Sequence, residues 1–108
     1  MSTVIVQGVF RVNPAERDAY LAASSDTMRS SRAEPGCLEY VLAADPLDEG
    51  RVILSERWQS RPDLDAHIQG LAARRSEAAA QGGGADPGPV PISREVTIYE
   101  VATEQVLG

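Results

Sequence analysis

The 108-residue chain has one Cys, one Trp and one His, and all three fall between Glu34 and His67. His67 could take or hold a phenolic proton, because an imidazole with a reference pKa of about 6.5 is poised for that work near neutrality. Trp58, nine residues earlier, could wall an apolar, polarisable slot for a flat aromatic molecule. Glu56 is a carboxylate that must be paired or solvated wherever it faces inward. It could orient His67, bond Tyr40, or serve structure alone. Tyr40 could donate to a substrate oxygen. Each residue also has an ordinary structural use: a core Trp whose indole N–H meets one acceptor, a buried His bonded to one oxygen, a core Tyr with a satisfied hydroxyl. Cys37 has no base beside it in sequence and reads as structural. One His and one Cys thirty residues apart are no metal-ligand set, so no metal is expected. Gly82-Gly83-Gly84 follows no strand and reads as linker, not phosphate cradle. No flavin or nicotinamide fingerprint is present, so no cofactor is expected.

The elements that must position these residues can be read from pattern. Thr3 to Val12 is rich in β-branched residues and predicts a strand. Asn13-Pro14-Ala15-Glu16 is a helix start, with a capping Asn, Pro at the first position and Glu three after the cap. The helix runs to about Arg32 with Tyr20, Leu21, Ser24 and Met28 on one face, and Pro35-Gly36 stops it. Cys37 to Ala44 and Arg51 to Trp58 predict two strands around a polar turn at Asp45 to Gly50. Ser60-Arg61-Pro62-Asp63 starts a second helix, with Leu64, His67, Ile68 and Leu71 on one face. Gln81 to Pro91 predicts a flexible connector, and Ser93 to Thr103 the last strand. The order is β-α-β-β-α-β, an α+β ferredoxin-like arrangement with both helices on one face of an antiparallel four-stranded sheet.

A turn centred near Asp48 sets the hairpin register. Glu39 then faces Arg57, a favourable opposite-charge pair; Tyr40 faces Glu56, and Leu38 faces Trp58. This puts Leu38, Tyr40, Leu42, Leu54, Glu56 and Trp58 on the more apolar, helix-covered face. Val41 and Ile53 lie on the other face, which no helix covers. An apolar uncovered face predicts a partner sheet, and hence a homodimer.

Composition narrows the partners. The chain length bounds one domain over residues 1–108, with 81–91 as its connector. A net charge of -6 and a pI near 4.6 argue against nucleic acid and against anionic membrane surfaces. The absence of a basic-flanked apolar run near Met1 predicts no signal peptide or membrane span, and a lone Cys gives no sign of an oxidising compartment. The expected location is cytoplasmic.

Glu34-Pro35-Gly36-Cys37-Leu38-Glu39-Tyr40, Asp45-Pro46, Glu56-x-Trp58, Leu64 and His67, in this order and spacing, resemble the antibiotic biosynthesis monooxygenase family. These are small dimeric α/β-barrel proteins that include quinol monooxygenases. Asn13-Pro14 before a helix bearing Tyr20-Leu21 matches its first half. The resemblance covers roughly residues 3 to 80 and implies His67 and Trp58 as catalytic residues. It implies Tyr40, Glu56, Gln7, Leu54 and Leu64 as substrate contacts. It further implies cofactor-independent oxygenation of a phenolic or quinol-type small aromatic molecule, with molecular oxygen as partner. The alternatives on the same fold are an isomerase or cyclase of a small oxo compound, and a non-catalytic small-molecule-binding dimer. This chain departs from particular branches. Leu54 and Leu64 stand where quinone-forming polyketide oxidases place Asn and Tyr. Ala72 stands where a second His often follows the first. Gln7 is the nearest match to the strand-one Asn of the haem-degrading branch, whose Trp-to-His spacing is ten, which argues against haem degradation.

Overall fold

A computed structural model of the protein describes residues 2–80 and 89–108. Strand β1 is Val4–Arg11, a 3-10 turn spans Pro14–Glu16, and helices α1 (Arg17–Ala23) and α2 (Ser25–Arg32) follow. Strands β2 (Cys37–Ala44) and β3 (Arg51–Trp58), helix α3 (Arg61–Ala80) and strand β4 (Ser93–Glu100) complete the chain. The four strands pair antiparallel in the order β2-β3-β1-β4. This is the ferredoxin-like arrangement expected from the element order. Of the expected connector, residues 81–88 lie outside the described residues.

Local chemistry accounts for the element ends. Asn13 caps the first turn through a 3.0 Å bond from the Ala15 N–H to its side chain, as Asn before a Pro favours. The expected first helix is broken at Ser24 into α1 and α2. There the Ser24 and Ser25 hydroxyls bond back to the carbonyls of Tyr20 and Leu21, competing with the helical ladder. Gly36, at φ +80°, turns the chain from α2 into β2, a conformation that favours glycine.

The side chains of β1 and β3 alternate between two faces. Val4, Val6, Phe10, Val52, Leu54 and Trp58 face the helices and, with Tyr40, Leu42 and Leu64, form the core. Tyr20, Leu21 and Met28 close it from α1 and α2. The hairpin register holds for Glu39 with Arg57 and Tyr40 with Glu56, but not for Leu38 with Trp58. A bulge between Cys37 and Glu39 sets Cys37 opposite Trp58 and leaves Leu38 47% exposed. An extra residue in one strand flips the side chain before it to the other face.

On the opposite face, Ile5, Val9, Val41 and Ile53 are only half-buried. A shallow hollow of about 460 Å³ on that face is lined by Gln7, Val9, Ile53, Ser55, Thr97 and Tyr99, among others. No described helix of the chain is long and apolar enough to cross a membrane.

Candidate functional site

Two turns bring the site together. Glu34 sits in the turn after α2, where its N–H donates to the Ser31 carbonyl and its own carbonyl accepts from the Cys37 N–H. With both backbone groups bonded, its side chain leaves the turn in a defined direction. The start of α3 is fixed by Ser60, whose hydroxyl accepts from the Asp63 N–H at 3.3 Å and donates to the Asp63 carboxylate at 2.8 Å. One turn further on, His67 projects back toward the sheet and is only 3% exposed.

The two converge at a 2.7 Å bond between His67 Nδ1 and Glu34 Oε2. A carboxylate accepts, so Nδ1 carries the hydrogen, and in the neutral ring this leaves the lone pair on Nε2. Nε2 stands 3.8 Å from Glu56 Oε1, too far for a hydrogen bond. That Glu56 oxygen instead accepts from the Trp58 indole N–H at 2.9 Å. On the outside, Arg74 Nη2 approaches the other Glu34 oxygen at 3.5 Å. The imidazole is thus tethered on one nitrogen and open on the other.

Around the ring, Trp58 packs at 4.7 Å between centroids, tilted by 35°. Tyr40 meets the ring edge-on at 5.4 Å. Burial pushes the Glu56 carboxyl up from its ordinary value, aided by Glu34 and opposed by the Trp58 N–H and by His67. Burial likewise pushes the Tyr40 phenol up to about 12, with the charges of Glu56, Tyr20 and Glu34 acting in the same direction. The Ser31 hydroxyl near it acts the other way, although Ser31 Oγ is buried without a hydrogen bond of good geometry. Tyr40 therefore stays a hydrogen-bond donor throughout the neutral range.

These groups border a cavity of about 200 Å³ between α3 and the sheet. Val6, Phe10, Leu54, Leu64, Ile68, Leu71, Val96 and Ile98 give it an apolar wall. Tyr40, Glu56, His67 and Arg94 are its polar members. An apolar slot with a few convergent polar groups suits a small aromatic ligand.

The sequence-predicted residues divide accordingly. His67, Glu56, Tyr40, Leu54 and Leu64 come together at the cavity. Trp58 does not form its wall: it is fully buried beneath the His67 ring, and supports that ring instead. Gln7 lies on the opposite face, in the hollow away from the helices. The strand period requires this, since its neighbour Val6 is buried in the core. Glu56 was one candidate to orient His67; the bond is made by Glu34. Glu34 lies 33 residues from His67, a separation that no helical or strand spacing encodes. Its position just before Pro35-Gly36 marked it only as a turn residue.

Cys37 is half-buried, and burial together with Glu34 and Glu56 pushes its thiol up, away from nucleophilic use. Among the described residues, no group of three or more His, Cys, Asp or Glu side chains is placed to hold a metal ion.

A family model described as antibiotic biosynthesis monooxygenase matches residues 3–79. YcnE of Bacillus subtilis, itself named only as a candidate monooxygenase, is 27% identical over 79 residues, 68% of this chain and 83% of its own. The solved structure of Rv0793 from Mycobacterium tuberculosis is 30% identical, with a TM-score of 0.70, over 97% of this chain and 100% of that one. MhuD of the same organism, a heme-degrader solved with two hemes in its active site, has a TM-score of 0.68 over 95% of this chain and 99% of its own. At 18% identity that likeness is one of fold alone.

Proposed function

The chain belongs to the antibiotic biosynthesis monooxygenase family, and from that premise we propose that it is a cofactor-independent monooxygenase of a phenolic or quinol-type small aromatic molecule. The observation that carries this reading is His67, bonded through Nδ1 to Glu34 at 2.7 Å and bordering an apolar cavity of about 200 Å³. In the proposed reaction Nε2 takes the phenolic proton. The Tyr40 hydroxyl, which keeps its proton at neutral pH, donates to the resulting oxyanion. The phenolate then passes an electron to molecular oxygen, and the two radicals join at a ring carbon. Loss of water completes the step. One oxygen atom stays in the product and the other leaves as water, with both electrons for that water supplied by the substrate. A quinol becomes a hydroxyquinone.

An oxygen electrode over hydroquinones, naphthols and anthrones tests the reading. The expected result is one O₂ consumed per product formed, and no product under argon. Turnover of a small oxo compound without oxygen would favour an isomerase or cyclase, which the same imidazole between two carboxylates could serve. Binding without turnover would leave a small-molecule-binding protein.

The reading includes a single-domain, cytoplasmic homodimer. Support for the homodimer is the half-buried strip of Ile5, Val9, Val41 and Ile53 on the sheet face that no described helix covers. A second sheet packed there would bury that strip. Light scattering at micromolar concentration should give about twice the 11.5 kDa chain mass. A clean monomer at that concentration would remove the dimer.

A further inference from the structure

The cavity has polar groups at two separated places, and only one of them is used by the reaction above. Strand β4 alternates cleanly: Arg94, Val96 and Ile98 line the cavity on the helix side, while Glu95, Thr97 and Tyr99 line the hollow on the other face. Pairing fixes where Arg94 stands. It lies opposite Phe10, whereas Ile98 lies opposite Val6, and Val6 in turn lies opposite Glu56. The Arg94 row is therefore four residues along the sheet from the Glu56 row, about 13 Å at the rise of a strand.

The Arg94 guanidinium carbon sits 5.7 Å over the Phe10 ring. Cation–π attraction holds the side chain against the cavity at that point while leaving its N–H fork available. Tyr20 packs edge-on to Phe10 at 6.4 Å and so steadies the ring on which Arg94 rests. Among the described residues Arg94 makes no ion pair within bonding distance. At the other end stand Glu56 and, behind His67, Glu34. The slot is thus negative at its reacting end and positive at its far end, in a chain of net charge -6. A carboxylate lying in the slot is therefore better placed at the Arg94 end than beside the Glu56 carboxyl.

The geometry points to Arg94 as an anion-binding end of this cavity, and so to a ligand with a carboxylate on the far side of an aromatic body from its reacting hydroxyl. The assignment rests on the reading of the cavity as a phenol or quinol site. It deepens that reading in one respect: the dipolar slot sets the direction in which the ligand lies. The hydroxyl meets His67 and Tyr40, and the acid meets the guanidinium fork, which matches a carboxylate bidentately.

Calorimetric titration of the intact chain with 6-hydroxy-2-naphthoate and with its neutral amide tests this without any turnover. The two probes share one shape and differ in charge at the end away from the hydroxyl. The acid should bind roughly tenfold more tightly than the amide, with the preference shrinking as salt is raised. Arg94→Gln should abolish the preference by weakening the acid far more than the amide, and Arg94→Lys should keep part of it. Arg94 is exposed on an edge strand, so melting temperature should barely move; a variant that melts much earlier would show a structural role and overturn the assignment. Equal affinities for acid and amide in the native chain, or a preference that survives Arg94→Gln, would overturn the anion site and leave the phenol site standing. Failure of both probes to bind at millimolar concentration would remove the phenol site itself, and the anion site with it.

Discussion

Replacing His67 by Gln should lower quinol turnover by about 10²–10⁴-fold at neutral pH, the usual span for one general base. Gln suits this test better than Ala. His67 is buried against Trp58 and bonded to Glu34, so truncation to Ala would open a cavity and strand a carboxylate, each destabilising. A Gln amide can still donate to Glu34 but cannot take a proton. The deficit should shrink as pH rises toward about 10, where a phenol ionises unaided. Turnover against pH, measured beside the melting temperatures of both proteins, decides the matter. Full activity in the variant, or a melting temperature low enough to explain the loss, would take His67 out of the mechanism.

The tether on Nδ1 has its own signature in the same experiment. With one His in the chain, the imidazole nitrogen resonances belong to His67 without ambiguity. The native neutral ring should show its hydrogen on Nδ1. Glu34→Ala should release that preference, and Glu34→Gln should retain it through the amide oxygen. A ring that stays Nδ1-protonated in Glu34→Ala would mean that something other than Glu34 sets it.

Particular residues separate what is local in the sequence from what only the fold creates. The turn centred near Asp48 sets the hairpin register, with the Glu39–Arg57 charge pair in its favour, and the alternation of β3 places Leu54 and Glu56 on the cavity side. Asn13 and Ser60 marked two helix starts through capping chemistry that is local in sequence. What escaped was non-local or depended on one residue of register. The bulge at Leu38 has no signature in side-chain pattern, yet it turns that Leu out of the core. Gln7 was carried inward by analogy, against the alternation of its own strand. Trp58 was placed on the right face, but its depth depends on His67 lying over it. Arg94 belongs to a strand exposed along its whole length, where periodicity says little about which face binds anything. The Glu34–His67 bond joins the turn after α2 to helix α3, and only tertiary packing brings them together.

Gly36 should be the most sensitive glycine among the described residues, because both halves of the site hang from its turn. It adopts φ +80°, a region that costs a residue with a Cβ about 1–2 kcal/mol. A Cβ there would also lie 2.7 Å from Asp63 Cβ and nearer still to the Asp63 carboxylate. Asp63 would have to leave Ser60, and loss of that cap at the start of α3 costs a further ~1 kcal/mol. The Gly36 carbonyl also accepts from the Gln59 N–H at 2.8 Å, so the turn cannot swing away without unpairing the end of β3. Gly36→Ala should therefore destabilise by about 2–4 kcal/mol, a fall of roughly 10–20 °C in melting temperature. Gly70 supplies the contrast: it lies within α3, and nothing stands within 4 Å of a Cβ placed there. Gly70→Ala should stabilise by roughly 0.5–1 kcal/mol through helix propensity alone. Thermal melts of the two variants beside the native chain read both effects at once. If Gly36→Ala melts within a degree or two of the native chain, the turn has room to relax, and neither the position of Glu34 nor that of His67 depends on it.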